Sequence, residues 1–294
     1  MGFRLANVEG RAVLVDGEYY FDLATVSAGA LTSDPMEALS HPAELNELGS
    51  ALAGRAPTGR VAEAVLGPPV PHPQKSFAVG LNYLDHAAEG SMEVPTNPLV
   101  FTKFPSCLVG PTADVELRTD FCDYEGELVV VIGRGGKDID AADAWKHVAG
   151  VMVGQDISDR VVQFAAKPPH FDLGKSFDTF GPIGPALVSI DQISDPSALE
   201  IVTAINGEER QRASVASMVF DVPTLIGYLS QITTLVTGDV IFTGTPAGVG
   251  ATQGKFLTDG DVITTTIDGI GTLVNRCVRV LDIVSPGDRS GSGS

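Results

Sequence analysis

The chain has 294 residues, 44% of them hydrophobic, with 19 Lys plus Arg against 37 Asp plus Glu and a formal net charge of −18. That share of apolar side chains suffices for one large core with a smaller appended region, or for two domains, and excludes a disordered chain. The acidic balance excludes a surface that tracks nucleic-acid phosphates, so an anionic substrate has to be drawn in by local cations: a metal ion, Lys or Arg.

Residues 1–7 hold no basic stretch followed by an apolar one, and no segment approaches the ~20 apolar residues of a membrane helix. Neither a secretory signal nor a membrane partner is expected. Short β-like pieces at 12–15 and 19–21 alternate with a helical stretch over 35–52. The cluster Gly67-Pro68-Pro69-Val70-Pro71-His72-Pro73 can continue neither helix nor central strand, so it marks a linker and sets off a small N-terminal α/β domain, 1–70. Strands then outnumber helices, at 77–80, 127–132, 148–154, 186–190, 200–205, 209–213, 239–243, 262–267 and 272–280. Asn206-Gly207 and Asp268-Gly269 read as hairpin turns between such runs. The clearest helix is 222–235, with Asp221 as its N-cap and Pro223 in its first turn. The main domain, 71–285, is therefore read as α+β, a curled and mostly antiparallel β-structure, and 286–294 as a flexible tail. Cys107, Cys122 and Cys277 have no CxxC spacing, which argues against a disulfide framework or a thiolate zinc site and makes the cytoplasm the expected location.

Chemistry concentrates at Asp123-Tyr124-Glu125-Gly126-Glu127, at the mouth of the β-forming run Leu128-Val129-Val130-Val131-Ile132. In a strand, Glu125 and Glu127 project to one side with Cα atoms roughly 6.6 Å apart. Their repulsion is relieved by a proton or by a hard divalent cation. Asp156 follows the apolar run 148–154, which can lie alongside the first strand and complete a set of three carboxylates. A Glu-x-Glu alone is commonly a solvated strand face, but the apolar residues after this one weigh against that.

His86 and Glu89, at i and i+3 in a short helix ending at Gly90, share a helical face, and a carboxylate beside an imidazole suits a water-activating base. A surface pair that only stabilises the turn is the plainer alternative. Lys175 stands in an apolar loop punctuated by Gly and Pro. Gly174-Lys175-Ser176 resembles the end of a phosphate-binding loop, but Pro169 occupies the position where that motif needs Gly. Beside the carboxylates, Lys175 could hold a substrate carboxylate or a developing enolate; it could also be a surface lysine. Thr243-Gly244-Thr245-Pro246-Ala247-Gly248-Val249-Gly250 can present N–H groups and a hydroxyl to an anion, or form an ordinary turn. No GxSxG, HExxH or GxGxxG pattern occurs.

Taken together, Asn82-Tyr83 with His86 and Glu89, Asp123–Leu128, Gln155–Arg160, Lys175–Pro182 and Thr243–Gly250 closely resemble the fumarylacetoacetate hydrolase family over roughly 74–282, in the short version typical of bacterial, acylpyruvase-like members. The resemblance implies the family's mixed β-roll, a homodimer, and Mg2+ or Mn2+ on Glu125, Glu127 and Asp156. It implies His86 and Glu89 as a general-base dyad on a mobile lid over 86–94 and Lys175 as the substrate-binding lysine. Thr245 matches the carboxylate-contacting threonine, with Gly244, Arg160 and Tyr83 as further substrate contacts. The activity it implies is a metal-dependent C–C hydrolase that cleaves a 2,4-dioxo acid of the acylpyruvate or fumarylpyruvate type through a pyruvate enolate. The alternative, on the same site, is oxaloacetate decarboxylation or 2-hydroxydienoate isomerisation or hydration. Gln155 stands where the family more often has Asn.

Overall fold

The computed structural model describes residues 2–90 and 93–281; the expected tail, and Ser91 and Met92 of the expected lid, lie outside the described residues. Gly126–Ile132 and Val148–Gln155 are buried along their whole length and pair antiparallel, Glu127 opposite Gly154 and Val130 opposite Val151. Alternate residues serve two different cores. Leu128, Val130 and Ile132 pack with Leu225, Ile226 and Leu229 of the helix Val222–Ile232. Val129 and Val131 share the opposite face with Met152, Val240 and Phe242. Because both faces are covered, the two runs read as unbroken apolar stretches rather than as alternating ones.

The two strands sit inside a mixed, mostly antiparallel sheet of twelve strands that does not close. On one side it continues through Val240–Phe242 and Ser76–Gly80, a parallel pair, to Leu99–Thr102. On the other it runs through Gly181–Ser189 to Arg4–Val8, Arg11–Asp16 and Tyr19–Asp22, with Leu5 opposite Leu187. In the proline-rich segment, Leu66 and Gly67 pair with Val8 and Asn7, and Val70 is fully buried. A second sheet of five strands, Glu208–Ser214, Glu200–Ile205, Val262–Ile267, Gly271–Arg279 and Val115–Leu117, backs the first. Asn206 and Gly207 both have positive φ, 52° and 81°, as a two-residue hairpin turn requires.

Two expectations shift for local reasons, and one strand is unforeseen. The helical stretch over 35–52 is two helices, Pro35–Ala38 and Pro42–Ser50, because a residue before proline is driven out of the α region and His41 sits at φ −122°, ψ 52°. The helix from Val222 keeps its cap, Asp221 accepting from Thr224 N–H at 2.9 Å, but stops at Ile232. Beyond it Leu235 exchanges backbone hydrogen bonds with Gly136, at 2.9 and 3.0 Å. Leu99–Thr102, not foreseen, is a strand. No helix among the described residues is long and apolar enough to cross a membrane.

Candidate active site

Register brings the three acidic residues together. Gly126 pairs with Gln155, so the next residues out, Glu125 and Asp156, face each other across the strand ends, the Asp156 N–H donating to the Glu125 carbonyl at 2.9 Å. One carboxylate oxygen from each of Glu125, Glu127 and Asp156 lies within 4.8 Å of the others, and all three residues are buried. The glycine between the glutamates has a steric reason: a Cβ on Gly126 would come within 2.1 Å of the Thr203 hydroxyl of the second sheet. That sheet also supplies neutral polar support. Gln155 accepts from the Glu125 N–H at 3.0 Å and donates to Thr265 Oγ1 at 2.5 Å. Gln211 accepts from the Gly126 N–H and donates to Thr245 Oγ1, at 3.0 and 2.8 Å.

The cations around the cluster are unevenly shared. Lys175 Nζ lies 2.6 Å from Glu125 Oε2 and 2.8 Å from Asp156 Oδ2. Arg160 Nη2 reaches Asp123 Oδ2 at 2.6 Å and Glu125 Oε1 at 2.7 Å. A lysine unforeseen from sequence, Lys103, donates to Asp156 Oδ1 at 2.7 Å. Glu127 has none of this. It is 1% exposed, accepts one hydrogen bond, from the Gly244 N–H at 2.8 Å, and has no ion-pair partner among the described residues. The electrostatics follow. Burial, then the charges of Asp156 and Glu125, push the Glu127 carboxyl well above the usual carboxylate range. Burial would raise Glu125 too, but Lys175, then Arg160 and His86, outweigh it and hold the group at about 2. Three buried carboxylates converging on one point, one of them without an ion-pair partner among the described residues, fit a hard divalent cation with oxygen ligands. Glu125, Glu127 and Asp156 are the residues that could hold it.

A cavity of about 170 Å³ opens beside the cluster. His86, Glu125, Arg160, Lys175 and Thr245 line it, with Phe101, Phe164 and Phe171 as an aromatic wall. His86 is on the helix Leu84–Glu89, its Nδ1 3.9 Å from Glu89 Oε2 and without a hydrogen-bond partner. Glu89 instead accepts from the Gly248 N–H at 2.9 Å, which ties this helix to the loop after Val240–Phe242. Gly244 in that loop has φ +99°, and a Cβ there would meet Asn82 Cβ at 2.7 Å, so only glycine delivers its N–H to Glu127. Gly244 and Tyr83 are not among the residues lining the cavity. Tyr83 is fully buried with its hydroxyl unpartnered. Asp123, quoted only as part of a motif, anchors Arg160 and also accepts from Gly250 and Ala251 N–H at 2.6 and 3.0 Å.

Residues 75–278 match the model of the fumarylacetoacetate (FAA) hydrolase C-terminal family. Human oxaloacetate tautomerase FAHD2A, mitochondrial, is 43% identical over 232 residues, 78% of this chain and 74% of its own. A Mycobacterium smegmatis protein solved under the provisional name HpcE superposes with TM-score 0.89 at 45% identity, over 94% of this chain and 99% of that one. Maleylpyruvate hydrolase from Sphingobium sp. SYK-6, solved with manganese(II) and pyruvate, gives TM-score 0.79 at 29% identity, over 94% and 99%. The expected cytoplasmic location is corrected by these relatives, since the human and bovine oxaloacetate tautomerases are named as mitochondrial. The physical reason is that Cys107, Cys122 and Cys277, free and buried, report only a reducing surrounding and distinguish no compartment within the cell. Fold, acidic cluster and sequence match agree, and the chain belongs to the fumarylacetoacetate hydrolase family of enzymes.

Proposed function

We propose that the protein is a divalent-metal-dependent enzyme acting on a small 2-oxo acid through its enolate, with keto–enol tautomerisation of oxaloacetate as the leading reaction. The observation that carries this is Glu127, a buried carboxylate with no ion-pair partner among the described residues, converging with Asp156 and with Glu125, which lines a cavity together with Lys175. The relative at 43% identity, named for oxaloacetate tautomerisation, supports the choice of reaction. In this reading Glu125, Glu127 and Asp156 hold Mg2+ or Mn2+. Bound there, the cation supplies a Lewis acid for the carboxylate and 2-oxo oxygens.

The chain's own residues do the rest. Thr245 lines the cavity, its hydroxyl accepting from Gln211 at 2.8 Å and donating to the Gly126 carbonyl at 2.9 Å; it meets a substrate carboxylate only by turning that proton away from Gly126. Arg160, forked onto Asp123 and Glu125, fixes Glu125 and closes one side. Lys175 presents an ammonium to the enolate oxygen and to C3. It hands one proton to C3 while taking up the proton that the enol hydroxyl gives away, and ends as it began. Phe101, Phe164 and Phe171 give the cavity an apolar wall, and polar contacts made against such a wall are stronger than in open water.

Hydrolysis of the C3–C4 bond of a 2,4-dioxo acid, the first expectation from sequence, is the second reading. It is favoured by His86, which faces the cavity with Nδ1 free and Glu89 3.9 Å away, a pair able to take a proton from water. The sequence resemblance adds a homodimer, checked by light scattering. The deciding assay follows decay of the enol absorbance of oxaloacetate and release of pyruvate from acetylpyruvate, each with Mg2+ or Mn2+ and after chelation. Metal-dependent acceleration of the first supports the leading reading and of the second alone the alternative. Acceleration of neither overturns both.

A further inference from the structure

Lys103 is among the most deeply buried cations of the chain, its side chain 0% exposed. It follows the strand Leu99–Thr102, and its ammonium sits over the Phe242 ring, 5.7 Å from the centroid. An ammonium has three N–H donors, and Lys103 has three acceptors. These are Asp156 Oδ1 at 2.7 Å, the Phe180 carbonyl at 3.0 Å and the carbonyl of Lys175. With every donor engaged and no place among the cavity residues, it cannot touch a substrate. A buried charge is costly to keep, so its position needs an explanation beyond filling space.

The two oxygens of Asp156 have different partners. Oδ1 is held by Lys103, and Oδ2 by Lys175, whose ammonium also reaches Glu125 Oε2 of the acidic cluster. A carboxylate free to rotate can give a divalent cation both oxygens; one clamped by an ammonium gives one. We propose that Lys103 is a positioning residue that restricts Asp156 to a single metal-ligating oxygen, so that a coordination place stays open for the substrate's 2-oxo oxygen. The same ammonium grips the carbonyl of Lys175, so the residue that limits Asp156 also sets where Lys175 stands. This inference rests on the reading of Glu125, Glu127 and Asp156 as metal ligands.

The test uses the full chain, wild type and Lys103→Met, with Mn2+ and with oxalate, a two-oxygen mimic of the enolate acid. Free Mn2+ is read by electron paramagnetic resonance, and oxalate binding to the Mn2+-saturated protein by calorimetry. Lys103→Met should bind Mn2+ at least as tightly as wild type, because a positive charge is removed and a ligand oxygen released, while oxalate affinity falls at least about tenfold. A residue that only supports the fold would weaken both together, and that result, or no change in either, overturns the proposal. Should Lys103→Met fail to fold, wild type alone decides. Broadening of the Mn2+ signal by oxygen-17 water should count about three water oxygens in an octahedral shell. A count of two means that the three carboxylates already give four oxygens and the place kept for the 2-oxo oxygen is filled, and the proposal falls. No Mn2+ binding by wild type would refute the metal reading itself.

Discussion

Replacing Glu127 with Gln removes one charge and little else, since the amide oxygen can still accept from the Gly244 N–H. In the metal-free chain Glu127 is pushed above its ordinary value of 4.5 by burial, Asp156 and Glu125. A carboxyl raised in the folded state favours folding below its unfolded pKa, and that contribution is lost as pH climbs through the folded value. Metal-free wild type should therefore lose stability as pH rises from about 4.5, by up to about 1.4 kcal/mol per unit until Glu127 is ionised. Glu127→Gln should be flat in this window and equal to or more stable than wild type at its upper end. Metal reverses the ranking. At Mn2+ a hundredfold above Kd, wild type gains about 2.7 kcal/mol, worth about 4 °C in Tm for a chain of this size. The variant should gain almost nothing. Differential scanning fluorimetry across pH, with Mn2+ and with chelator, reads both effects. Equal Mn2+ shifts in the two proteins, or a variant several kcal/mol less stable without metal, would refute the assignment of Glu127 as the uncompensated ligand.

His86→Ala should slow any acylpyruvate hydrolysis by about 10²–10⁴-fold, the worth of a positioned general base, and oxaloacetate tautomerisation far less; steady-state rates on the two substrates give the comparison. Lys175→Met should abolish both activities yet tighten Mn2+ binding measured by calorimetry, because the ammonium between Glu125 and Asp156 competes with the metal. Asn82→Ala removes hydrogen bonds to the Phe220 N–H and carbonyl and to the Thr243 carbonyl, at 2.8, 3.0 and 2.7 Å. Urea unfolding should show a loss of about 3 kcal/mol. Lys103→Met, described above, should part metal affinity from oxalate affinity.

What was legible in the sequence follows from range. The run 127–132 declares a buried strand by its own composition, and Glu125 and Glu127 are juxtaposed by backbone geometry alone, so both could be read locally. Asp156 needed one further assumption, that 148–154 lies alongside, and the pairing bears it out. Lys103 could not be found this way. Its three acceptors stand 53, 72 and 77 residues away, and nothing between Leu99 and Phe104 separates a clamped lysine from a solvated one, except that the residues around it are apolar. Arg160 was legible as a cation near the site, but its principal partner, Asp123, is 37 residues back on an adjacent short strand. The break at His41 was in plain view as His-Pro, and a reading that gave Pro42 more weight would have found it.

The loop Thr243–Gly250 is gripped at both of its functional ends. Gly244 holds Glu127, Gly248 holds Glu89 of the helix that bears His86, and Gly250 holds Asp123, which in turn holds Arg160. Occupancy of the acidic cluster and the posture of the His86 helix are thus read by one stretch of backbone, and linkage is reciprocal. If metal draws Glu127 and its loop into place and thereby favours the seated helix by some factor, then a substrate that seats the helix must tighten metal by that same factor. Such a protein keeps its metal best while it is working and yields it most readily at rest.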